Sequence, residues 1–137
     1  MTFRARVTGE GVRSVADIRG KQVVIDEPAS LGGTDQGANP VELVLAALGG
    51  CINVLVASFA GQHQVDVRGV AISVEGDLDP DGFMEKNRNV RPGFQEIRYR
   101  IDIDSPSDPS RVRALLQHVE RVCPVKDTLQ GVPVAAL

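Results

Sequence analysis

Cys51 and Cys123 are the only cysteines of this 137-residue chain, and they are its clearest chemical handle. A thiolate is both a nucleophile and a reductant, so two thiols that meet in space can be oxidised to a disulfide and reduced again. Two are too few for a disulfide scaffold or a four-ligand zinc site. Inert core packing, the usual fate of a free cysteine, and a redox pair both remain open on these residues alone. His63 and His118 are single histidines with no acid or cysteine at ligand spacing. They are read as surface residues with neither metal nor acid–base work. The chain has no G-x-S-x-G elbow, P-loop or dinucleotide glycine fingerprint, and nothing in it asks for a cofactor or a metal.

The two thiols have different surroundings in the sequence. Cys123 is followed by Pro124-Val125-Lys126-Asp127-Thr128-Leu129, which predicts a helix break at Cys123 and a fresh start at Pro124. A thiol at such a start faces free amides that favour the thiolate. Cys51 lies about three turns into a long apolar helix, where its neighbours raise its pKa. To react at neutral pH it needs a cation or a hydrogen-bond donor from elsewhere. Arg13 and Arg19, in or beside the N-terminal strands, are candidates, because a guanidinium stays charged when partly buried. Glu42 precedes Cys51 by nine residues, about 180° around a helix. It suits a capping box, and its carboxylate also offers a means of orienting an arginine or acting across a subunit boundary.

The elements that must hold these residues are legible in outline. Short strands are expected at Phe3–Thr8, Arg13–Ile18 and Gln22–Asp26, with Arg19-Gly20 a two-residue turn. Residues 28–38 read as a loop. Asn39-Pro40-Val41-Glu42 then opens a helix, and Leu43 to Val65 carries no formal charge. That run is long enough for a bilayer. Asn53, Ser58, Gln62, His63, Gln64 and Gly49-Gly50, with no Trp or Tyr at either end, favour a buried helix instead. A helix apolar on nearly every side must be covered all round, and a partner subunit would complete the cover. Val65–Leu78 alternates with a slip at Gly69, read as a bulged strand or strand pair. Residues 79–93 read as a mobile, locally basic loop, and Ile97 to Asp104 as a strand with one wet face. Asp108-Pro109 opens a helix with Val112, Leu115, Leu116, Val119 and Val122 on one face.

With 42% hydrophobic and 24% charged residues, the chain reads as one domain, 1–137. A net charge of -3 without a basic stripe argues against nucleic acid. Two arginines near the N-terminus with no apolar run behind them make the cytoplasm the expected location, with no membrane partner.

The string from Leu31-Gly32-Gly33-Thr34 through Asn39-Pro40-Val41-Glu42-Leu43 to Ala46-Ala47-Leu48-Gly49-Gly50-Cys51, with Cys123-Pro124-Val125 later, closely resembles the OsmC/Ohr superfamily. These are the osmotically inducible protein C and organic hydroperoxide resistance proteins, and the Leu-Ala-Ala-Leu-Gly-Gly-Cys form is nearer to the OsmC-like branch. The resemblance implies an α+β fold in an intertwined homodimer, with long helices at the centre and active sites at the subunit interface. It also implies a thiol peroxidase in oxidative stress defence that reduces organic hydroperoxides or hydrogen peroxide. In it Cys51 matches the peroxidatic cysteine and Cys123 the resolving one, and the disulfide is re-reduced by a dithiol, lipoyl groups in one branch. The family's arginine from the N-terminal strands falls on Arg13. Its glutamate near the start of the long helix falls on Glu42, one residue later than in the organic hydroperoxide branch. The rival expectation is a dimeric small-molecule binding protein on the same scaffold with little or no turnover.

Overall fold

The computed structural model describes residues 1–136. Its first sheet is set by two tight turns. Arg19 and Gly20 both take left-handed backbone, φ 57° and 77°, the twist that two-residue hairpins need. The chain therefore folds as β1 (Arg6–Glu10), β2 (Arg13–Ile18) and β3 (Lys21–Ile25), an antiparallel meander in that order. The first strand begins later than the alternation from Phe3 predicts. Its register is counted back from the turn at Gly11-Val12, with Glu10 opposite Arg13 and Arg6 opposite Asp17. The turn, not the apolar pattern, decides where pairing starts.

Asp26 then organises the loop that follows. Its carboxylate is fully buried and accepts from the Thr34 hydroxyl at 2.6 Å and from the amides of Glu27 at 2.8 Å and Gln36 at 3.1 Å. The Asp26 amide closes the loop on the Ala38 carbonyl at 3.2 Å. Gly33 is required inside it, since a Cβ there would sit 1.9 Å from the Glu27 carbonyl. The loop delivers Asn39 as cap of α1 (Pro40–Phe59). The Asn39 Oδ1 accepts from the Glu42 amide at 2.9 Å, and Glu42 Oε2 accepts from the Asn39 amide at 2.8 Å. This is the reciprocal box that the spacing predicts.

Contacts divide the chain into two compact units, Met1–Val44 and the remainder from Leu45. In the second, β4 (Gly69–Asp77) and β5 (Glu96–Asp104) form an antiparallel ladder from Gly69 opposite Asp104 to Asp77 opposite Glu96. Arg98 on the wet face reaches Glu75, Asp77 and Glu96. The opposite face, with Ile72, Val74, Ile97, Tyr99 and Ile101, packs on a core of Leu48, Ile52 and Val56 from α1 and Leu115 and Val119 from α3 (Pro109–Val122). By length and composition α1 could cross a membrane, but its stripe of Leu48, Ile52 and Val56 is buried against its own chain. On the other side Ala46, Ala47, Gly50, Asn53 and Ala57 are exposed, and Val54 is 59% exposed.

Two expectations for this unit are corrected. Val65–Arg68 is not strand: the Val65 amide closes the turn after α1 on the Ala60 carbonyl at 2.9 Å, and the slip at Gly69 marks where the ladder begins. Residues 79–93 are not all loop, for Asp79-Pro80 opens α2 (Pro80–Phe83), with the Asp79 carboxylate accepting from the Asp81 amide at 3.0 Å. The same Asp-Pro device opens α3, where Asp108 accepts from the Ser110 amide at 2.8 Å.

The Thr34 hydroxyl, against the opposing pull of burial and with help from three backbone amides, holds the Asp26 carboxyl at about 2, below its ordinary 3.8. A depressed carboxylate stabilises the fold above the unfolded pKa, and that contribution is lost as pH falls through the folded one. Asp26→Asn is therefore expected to lower the thermal midpoint at pH 7 by about 5 °C. The gap to wild type should close between pH 3.8 and about 2, as followed by circular dichroism. A gap independent of pH would refute the assignment.

Candidate active site: the Cys51 and Cys123 pair

The close approach of α1 to β4 positions Cys51. A Cβ at Gly49 would lie 3.4 Å from Val74 Cγ2, so the absence of a side chain there lets the helix rest on the sheet. Cys51 follows two residues later, half-buried, and packs against the core. Cys123 sits at the junction of α3 and α4 (Pro124–Leu129). Pro124 disfavours helical backbone in the residue before it, and Cys123 accordingly adopts φ -68°, ψ 111° and caps α4 with its own sulfur. The Lys126 amide donates to Cys123 Sγ at 3.5 Å. The Cys123 side chain is 2% exposed.

The two thiols, distant in sequence, are neighbours in the second unit and both are free. Burial pushes the Cys51 thiol above its ordinary value, the Val125 amide facing it pulls the other way, and the adjacent Cys123 thiol raises it further. The upward direction is the one expected of a thiol in an apolar helix.

Sequence reasoning passed over the groups around them. Tyr99, the single tyrosine, belongs to the inward face of β5. Burial first, then the charge of the Glu120 carboxylate, then Cys123, push its phenol up to about 12. Tyr99 also lines, with Leu48, Arg91, Phe94, Lys126 and Leu129, a cavity of about 340 Å³. The place of Tyr99 on the inward, alternating face of β5 was the signal the sequence offered.

The remaining candidates lie in the first unit. Arg13 Nε donates to Gln36 Oε1 at 2.9 Å, and Arg19 occupies the exposed hairpin turn. Glu42 Oε2 serves the α1 cap. Among the described residues no ion pair joins Arg13 to Glu42. The histidines are not isolated surface residues. His63 Nε2 and His118 Nδ1 are 2.9 Å apart and partly buried, and the His118 ring lies 4.2 Å from that of Phe59. The turn after α1 and the middle of α3 meet through core packing, which spacing along the chain does not reveal. Among the described residues no cluster of three or more potential metal ligands occurs.

A three-stranded meander, a long helix bearing one thiol, a two-stranded ladder and a helix ending at the second thiol define an α+β protein of the OsmC fold. The solved structure of an OsmC-like protein from Mycoplasma pneumoniae matches it with a TM-score of 0.83, covering 96% of this chain and 89% of that one at 20% identity. An organic hydroperoxide resistance protein OsmC from Legionella pneumophila matches with a TM-score of 0.68, covering 96% and 90% at 19% identity. The chain belongs to the family described as OsmC-like protein, whose model matches residues 33–136. Curated relatives include the hydroperoxide reductases of Mycoplasma genitalium, 23% identical over 70% of this chain and 64% of the relative, and of Mycoplasma pneumoniae, 24% identical over 72% and 67%. The match thus spans about two thirds of those relatives.

Because the neighbouring thiol raises Cys51, Cys123→Ala should lower the pH at which Cys51 ionises. The check is the pH dependence of its alkylation by iodoacetamide. An unchanged or higher midpoint would show that the two sulfurs do not interact.

Proposed function

We propose that the chain, folded as one OsmC-like domain, is a cofactor-free thiol peroxidase that reduces organic hydroperoxides or hydrogen peroxide. The observation that carries this reading is the adjacency of two free thiols, one half-buried and one buried, delivered by different helices to one place. The family and the relatives named hydroperoxide reductase support it. The Cys51 thiolate attacks the peroxide O–O bond, the alcohol or water leaves, and Cys51 becomes a sulfenic acid. Cys123 then attacks that sulfur, water leaves, and a disulfide forms. An external dithiol, of the lipoyl class, returns both thiols by exchange. Arg13 is the proposed cation that Cys51 requires, with Glu42 as its orienting carboxylate. The setting proposed is cytoplasmic oxidative stress defence.

The exposed side of α1, including Val54, is assigned to a second copy of the chain. A largely uncharged helix face of this kind calls for cover. Val54→Arg should convert a dimer to monomer, read by sedimentation. An unchanged dimer would move the interface elsewhere.

A second reading, a binding protein on this scaffold with little turnover, draws on the raised Cys51 thiol and on the use of Glu42 Oε2 in the cap. Free-thiol titration with intact mass separates the two. One equivalent of cumene hydroperoxide or hydrogen peroxide should remove both thiols and two hydrogens from wild type, and add one oxygen to Cys123→Ser. Cys51→Ser should not react. If both wild-type thiols stay reduced for many minutes, the binding reading takes its place.

A further inference from the structure

We infer that Gln36 is the positioning residue for Arg13, and that it is anchored in turn on the buried carboxylate of Asp26. The inference rests on the proposed role of Arg13 as the cation for Cys51 and names what aims that cation. An arginine side chain has a long, freely rotating stem, and left to itself it spreads its charge over many directions. A cation stabilises a thiolate or a leaving oxygen only when it is held where the charge develops.

The register of the sheet places the parts together. Ser14 pairs with Ile25 across β2 and β3, so Arg13 and Asp26, the next residues outward, stand at the same end of the ladder. Asp26 is 0% exposed, and its carboxylate accepts from the Gln36 amide at 3.1 Å. The Gln36 side chain turns back to the strand, where its Oε1 accepts from Arg13 Nε at 2.9 Å. Both ends of Gln36 are thus engaged, the backbone by the buried acid and the side chain by the guanidinium. That side chain is exposed and belongs to no core cluster, so packing does not account for it.

Two other acids stand near Arg13 in register or in the proposed reaction. Glu10 is its cross-strand neighbour on β1, and Glu42 lies in the first turn of α1. Among the described residues neither forms an ion pair with it. Gln36 is therefore the side chain that fixes the guanidinium. Its bond takes Nε, the nitrogen beside the stem, which sets the plane of the fork and leaves the terminal nitrogens to face an anion.

Gln36→Ala tests the assignment without undoing the loop, because the variant keeps the amide from which Asp26 accepts. The full chain is compared as wild type, Gln36→Ala, Arg13→Ala and the double variant. Oxidation of Cys51 by excess cumene hydroperoxide is followed by dimedone trapping and intact mass, and its ionisation by the pH dependence of iodoacetamide alkylation. Gln36→Ala should slow the oxidation about tenfold and raise the alkylation midpoint, with the thermal midpoint unchanged by circular dichroism. Arg13→Ala should be slowed at least as much. Adding Gln36→Ala to it should change nothing further, since a residue that acts only through Arg13 has no effect once Arg13 is gone. A wild-type rate in Gln36→Ala overturns the inference. So does an equal loss with and without Arg13, or a slower rate at an unchanged alkylation midpoint, either of which marks a purely structural role. If Arg13→Ala oxidises at the wild-type rate, the proposed part of Arg13 fails and the inference falls with it. If wild-type Cys51 forms no sulfenic acid, the peroxidase reading itself fails and takes the inference with it.

Discussion

Everything at the thiol pair depends on the burial of one stripe of α1 against α3. Leu48, Ile52 and Val56 recur every fourth residue and meet Leu115 and Val119, all within 2% of full burial. Each side chain taken from water contributes about 1.5–3 kcal/mol, and truncating one to alanine typically costs about 2–5 kcal/mol. A thiol pair contributes far less, since a neutral hydrogen bond is worth about 1 kcal/mol net. The core therefore places the sulfurs, and the sulfurs do not hold the core. Cys51 follows because it adjoins Ile52, and Cys123 because it ends the helix that supplies Leu115 and Val119.

This dependence explains what could be read from the chain beforehand. Features fixed by neighbours in sequence were legible: the box at Asn39 and Glu42, the Arg19-Gly20 turn, the face of α3, and the break at Cys123-Pro124. The two cysteine motifs were legible because their residues are contiguous. Features fixed by distant packing were not. The His63 and His118 pair forms only once α1 has docked on α3, and Val65 looks like strand until its amide is seen closing the turn behind α1. Tyr99 occupied an inward position in the alternation of β5, yet the cavity it lines draws its other walls from α1, α4 and the segment before β5. The Asp79-Pro80 helix start was in plain sight, written in the same letters as Asp108-Pro109. The glycine and basic residues around it drew the reading toward a loop.

A tension runs through Cys51. The packing that brings it to Cys123 also raises its thiol, and the Val125 amide only partly offsets burial. A nucleophile must be ionised to act, so in the proposed reaction the arrangement that brings the two sulfurs together works against the first step. Glu42 illustrates a related constraint. Its place in the cap is dictated by the need of α1 for a satisfied first turn, and a carboxylate committed to an amide is a weaker handle for an arginine. Under the proposed function, fold requirements and chemical requirements compete for the same two side chains.

The unequal burial of the thiols would give the proposed chemistry an order. Cys51 is partly open to solvent while Cys123 is sealed, so in the proposed reaction a small oxidant reaches the former first and the latter answers from within. The seal protects Cys123 from direct oxidation, because susceptibility follows exposure and thiolate character together. The same seal denies it water as a proton acceptor. In the proposed reaction a thiol so buried must give up its proton inside the fold, and the Lys126 amide, which donates to Cys123 Sγ at 3.5 Å, favours the charged sulfur without opening the core.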